Sequence, residues 1–132
     1  MAINYLCPYC NGYLNIDDNV VFSARTSENN MGLIFLHPEL GNYSVLKHES
    51  FHYSEGDKLE FFCSICHKNL TSWTEENLAK VIFEDEKGNL FEILFSKIAG
   101  EKSTYKTIGE NVEVYGHDAN KYLDFVNLSL MH

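Results

Sequence analysis

Apolar positions along this chain alternate or fall in short runs, which is the two-residue period of strands and not the 3.6-residue period of helices. Val20–Ala24 and Leu33–Leu36 read as short strands. Tyr43–Tyr53 reads as a longer one, with Tyr43, Val45, Phe51 and Tyr53 on one face and Leu46, His48 and His52 on the other. Ser54-Glu55-Gly56-Asp57 supplies a turn, so Leu59–Cys63 is expected to return beside that strand as a hairpin. Leu78–Glu84 and Leu90–Ile98 flank Asp85-Glu86-Lys87-Gly88-Asn89, the clearest hairpin in the chain. Phe91, Ile93 and Phe95 share one of its faces, opposite Val81 and Phe83. Leu90, Leu94 and Ile98 make the other face apolar too, so this strand is expected to be covered on both sides, by the N-terminal part, a partner or a second copy. Thr104–Ile108 and Val112–Tyr115 flank Gly109-Glu110-Asn111 as a further tight hairpin.

Helix signals are few. Thr71–Asn77 is polar apart from Trp73 and reads as a connector or one helical turn, with Ser72 and Glu75 fitting a capping box. Asp118–Phe125 reads as a short terminal helix, with Asp118 as N-cap and Tyr122, Phe125 and Val126 as its apolar stripe. The expectation is a mostly β chain. Residues 1–75 carry the cysteines and inserted strands, and residues 76–132 are rich in hairpins. With 132 residues in all, neither part is large enough for a generous core of its own, so one body is expected.

The chemistry sits in four cysteines arranged as two matched pairs, Cys7-Pro8-Tyr9-Cys10 and Cys63-Ser64-Ile65-Cys66. Each pair is followed by a leucine at the same offset, Leu14 and Leu70, giving an eight-residue repeat, Cys-x-x-Cys-x-x-x-Leu. A two-residue spacer lets the chain turn so that both sulfurs converge on one ion, and the leucine packs beneath the turn. Two such knuckles supply four thiolates, the donor set of a closed structural zinc site.

These residues resemble the zinc-ribbon superfamily, whose pattern is two CPxC-like knuckles on β-hairpins. The resemblance spans roughly residues 5–72 and implies Cys7, Cys10, Cys63 and Cys66 as the ligands of one structural Zn²⁺, with Leu14 and Leu70 as apolar support. Two features differ from a minimal ribbon. Fifty-two residues separate Cys10 from Cys63, and the second knuckle lacks the proline. Strands inserted between the knuckles account for the spacing.

Other readings of the same residues carry less. Cys7/Cys10 also spell a thiol oxidoreductase tetrapeptide, but that chemistry needs a helix after the second cysteine, and Asn11-Gly12 is turn composition. Cys63-Ser64-Ile65-Cys66-His67 spells a haem attachment motif, which leaves Cys7 and Cys10 unexplained. His48 and His52 with Glu49 or Glu55 would make a second metal site, though no third ligand is evident. No phosphate loop, nucleophile elbow or nucleophile–base pair stands out, so a non-enzymatic role is expected.

Charge narrows the partners. Ten Lys and Arg face nineteen Asp and Glu, a formal net charge of −9, spread over both halves. Such a chain repels phosphate backbones, so nucleic acid is not the expected partner although zinc ribbons often serve that use. A protein partner or self-association is expected instead, in a regulatory or assembly role. The first residues show no basic and apolar leader, and the longest apolar run is Met31–Leu36, far short of a membrane span. A reducing, cytoplasmic setting is the corresponding expectation.

Overall fold

A computed structural model describes residues 3–108 and 111–122. It is almost entirely β, with ten strands in two five-stranded antiparallel sheets. The first sheet has the order β1 (Asn4–Leu6), β7 (Leu78–Glu84), β8 (Leu90–Ser96), β9 (Thr104–Ile108), β10 (Asn111–Tyr115). The second runs β2 (Asn15–Ile16), β3 (Asn19–Arg25), β4 (Met31–Leu36), β5 (Val45–Lys47), with β6 (Glu60–Cys63) also paired to β3. The sheets do not divide at residue 75, because β1 joins the sheet built from the C-terminal strands.

What positions the cysteines is the way two short hairpins fill one gap. β2 pairs the start of β3, Asn15 opposite Val20, while β6 pairs its remainder, Cys63 opposite Phe22. On the far side, β1 pairs the end of β7, Leu6 opposite Ile82, and Leu70 accepts from the Lys80 amide at the start of β7. Each hairpin therefore spans from β3 to β7, and the two lie end to end. They meet at Val21, whose amide donates to Leu14 and whose carbonyl accepts from the Ser64 hydroxyl.

The core lies inside this rolled arrangement. β3 and β6 alternate inward and outward in the manner of half-buried strands. Tyr5, Phe22, Ile34, Phe61, Val81, Phe83 and Ile93 are buried together there. Phe22, Phe61 and Phe95 pack ring against ring, with centroids 5.2–5.7 Å apart. Beside β8 the chain departs from its sheet: Lys97 and Ile98 turn to pair with Leu59 and Lys58, so this strand ends at Ser96, two residues short of the expected end.

The hairpin expected at Asp85–Asn89 forms with the expected partners, Val81 opposite Ile93 and Phe83 opposite Phe91, and β9 pairs antiparallel with β10 as expected. Other expectations need correction. Tyr43–Tyr53 is not one long strand: only Val45–Lys47 is extended. The chain then turns because the His48 imidazole takes the Ser50 amide and the His48 carbonyl takes the Phe51 amide. Consequently β6 pairs β3 and not that segment. Of the two readings of Thr71–Asn77 the connector holds and the helical turn does not; the Ser72 hydroxyl accepts from the Thr74 amide and Glu75 from the Asn77 amide, local bonds that replace a capping box.

At the C-terminal end, Ala119–Tyr122 is a single 3₁₀ turn, and the Asp118 carboxylate accepts from the Lys102 amide instead of capping a helix. Phe125 and Val126 lie outside the described residues. The outer face of β8 is covered in part from within the chain. Leu94 is buried with Leu78, Tyr105, Ala119 and Tyr122, whereas Leu90 is exposed and Ile98 half-buried.

Candidate metal centre

The two knuckles are the same structure built twice. In the first, the Cys7 amide donates to Gly12, the Asn11 amide to Cys7, and the Leu14 amide to Tyr5, at 2.7–3.0 Å. In the second, the Cys63 amide donates to Lys68, the His67 amide to Cys63, and the Leu70 amide to Phe61, at 2.8–3.0 Å. Each turn closes through a residue with positive φ, Asn11 at 59° and His67 at 66°. Asparagine and histidine tolerate that left-handed region better than branched residues do. Leu14 and Leu70 are both 1% exposed and seat the two turns on the core.

Amides aim at the sulfurs in both turns. Those of Tyr9 and Cys10 point to Cys7 Sγ at 3.3 and 3.5 Å, and those of Ile65 and Cys66 to Cys63 Sγ at 3.3 Å each. The Gly12 amide points to Cys10 Sγ at 3.4 Å. Such donors stabilise negative sulfur, so the turns are shaped for thiolates. Burial acts the other way on the inner pair. It pushes the Cys7 thiol up to about 12, and Cys63 in the same direction. The Lys68 amide brings the more accessible Cys66 down to about 7. A divalent cation held at the centre would override the cost of burying thiolates and release their protons on binding.

The four sulfurs converge where the hairpins meet. Cys7 and Cys66 approach to 3.7 Å, Cys10 and Cys63 to 3.8 Å, and all four sulfurs lie within 4.8 Å of one another. Thiolates about 2.3 Å from a tetrahedral ion stand about 3.8 Å from each other. The spacing therefore fits four ligands around one ion, and the cysteines are not joined as disulfides.

Cys7, Cys10, Cys63 and Cys66 are thus brought together as the sequence repeat requires. Among the described residues they form the one cluster of metal-competent side chains. His48 and His52 do not join one: His48 Nδ1 is bonded to Ser50, and both imidazoles are exposed. No helix follows Cys10, which removes the local setting of a thiol oxidoreductase. The repeat extends further upstream than the leucine offset reveals. Tyr5 and Phe61 are its equivalent buried aromatics, two residues before each first cysteine, and this was legible as Tyr-Leu-Cys and Phe-Phe-Cys. The chain is thus an all-β protein with a tetracysteine cluster. Compared with protein-family models, curated proteins and solved structures, it matches none. No helix among the described residues is long and apolar enough to cross a membrane.

Proposed function

We propose that Cys7, Cys10, Cys63 and Cys66 hold one zinc ion as a closed structural site in a zinc-ribbon-like knuckle pair. The ion fixes a small acidic β scaffold whose work is to bind another protein. The observation that carries the metal reading is the repetition of one knuckle, bond for bond, with its sulfurs at tetrahedral spacing. Four thiolates in a tetrahedron suit zinc better than copper or haem iron. They leave no coordination position for a substrate, so the ion serves to hold the two hairpins and not to activate water. A reducing compartment, where thiols stay free to bind metal, is the proposed location.

Protein analysed for metal after purification without added metal is expected to contain close to one zinc per chain. Absence of metal together with four freely titrating thiols overturns the reading. Binding to another protein, not catalysis, is favoured by the closed coordination set and by the exposed apolar side chains on β4 and around the knuckles. A role in regulation or assembly is consistent with that.

A further inference from the structure

The chain's single tryptophan is, among the described residues, the most exposed of the large apolar side chains. Trp73 is 90% exposed, and its indole N–H donates to the Tyr9 hydroxyl at 3.3 Å. Trp73 follows the second knuckle; Tyr9 belongs to the first. Two more contacts cross the same seam. The Lys68 ammonium stands 5.1 Å from the Tyr9 ring centroid, and Ile65 lies over Gly12, where a Cβ would come within 2.5 Å of its Cδ1. Ile65 is itself 54% exposed. This apolar surface is composed from both knuckles.

Its charge indicates an occupant. The chain carries −9, and four thiolates around a dication add about two more negative charges. Cys10 is exposed, so that charge reaches the surface beside Tyr9. Aromatic rings attract cations through their faces, tryptophan most strongly. Tyr9 already carries one, Lys68, while among the described residues no cation stands over Trp73.

We propose that the knuckle seam is a docking face for a cationic segment of another protein, with an arginine or lysine held over Trp73 beside the metal–thiolate centre. The inference rests on the protein-binding reading above and names its site and the chemistry of its partner. Exposed tryptophan with adjacent tyrosine is the composition of interface anchors, and the negative centre selects the sign of the partner.

Trp73 emission reports occupancy directly. Titrating the zinc-loaded protein with a peptide of alternating arginine and glycine is expected to give a saturable emission change that weakens as salt is raised. By calorimetry, Trp73→Ala is expected to raise the Kd about tenfold or more, and Trp73→Phe to stay within about threefold of the parent. The side chain is so exposed that neither change should disturb the fold. Four results each overturn the proposal: no saturable change, an unaltered Kd in Trp73→Ala, tighter binding of a glutamate-rich peptide or oligothymidylate, and self-association that Trp73→Ala abolishes. Any of them with one zinc still bound leaves the structural metal site standing. Protein that carries no metal and four freely titrating thiols overturns the reading beneath it.

Discussion

Lys97 shows how much one residue can decide. Its side chain is 2% exposed, and its ammonium donates to Glu60 Oε1 at 2.8 Å and Thr71 Oγ1 at 2.7 Å. Burial alone would raise the Glu60 carboxyl, but bonds from Lys97, Asn69 and Thr71 hold it below the usual carboxylate range. A carboxylate lowered in the folded state stabilises fully above its unfolded range, and that stabilisation disappears as pH falls through the folded value. The stability gap between the parent and Glu60→Gln should therefore be widest near neutral pH and shrink on acidification, as denaturant titrations at several pH values would show. Lys97→Ala leaves Glu60 with an uncompensated charge beside the core and is expected to cost about 3 kcal/mol, the usual penalty for breaking a buried pair.

At the scale of elements, glycines separate a turn that needs only backbone freedom from a packed joint. Gly88 closes the β7–β8 hairpin with φ at 82°, and nothing lies within 4 Å of where its Cβ would be. Gly88→Ala is thus expected to cost about 1 kcal/mol, from the left-handed backbone alone. Gly116 follows β10 with φ at 100°, and a Cβ there would collide with the Lys102 carbonyl and crowd the Tyr43 hydroxyl. That hydroxyl is bonded to Thr104 at 2.9 Å and to the Tyr115 carbonyl at 3.1 Å, tying the segment before β5 to β9 and β10. Gly116→Ala is expected to lower the melting temperature well beyond Gly88→Ala, and a calorimetric comparison would check the order. The knuckles depend on their leucines in the same way. Leu14→Ala and Leu70→Ala should each cost about 2–5 kcal/mol, the range for emptying a buried leucine site.

For the whole molecule, the gap between β3 and β7 is filled by two short hairpins that meet at Val21, at the sulfurs and along the seam of Tyr9, Lys68 and Trp73. Removing the ion should loosen both hairpins together. Chelation or Cys63→Ser is expected to lower the melting temperature by many degrees and to raise amide exchange over residues 5–14 and 60–70, because structural metal binding contributes folding energy directly. A variant that melts like the parent would show that the cysteines are peripheral. Net charge also acts at this scale. At −9 the chain offers no general release of counterions from nucleic acid, so duplex DNA should not bind at submicromolar concentration in physiological salt, a point that fluorescence anisotropy would check.

The sequence by itself determined whatever neighbouring residues settle among themselves. The knuckles were legible because sulfur spacing and the following leucine lie within eight residues, and the hairpin at Asp85–Asn89 because its turn and alternating strands are contiguous. Register in such a unit follows from the turn. The tertiary structure decided which distant edge each unit joins. The run from Tyr43 to Tyr53 has the composition of a partner for β6, yet a local His48–Ser50 turn breaks it and β6 takes the edge of β3. Leu94 announced a covered face, but the cover proved to be Ala119 and Tyr122 and not the N-terminal part. The Lys97–Glu60 pair and the seam carrying Trp73 were equally hidden, since each joins residues with no shared pattern in sequence. Long-range pairings are chosen by which surfaces bury most apolar area and leave the fewest backbone groups unpaired. That competition runs over the entire chain, so no local spacing records its outcome.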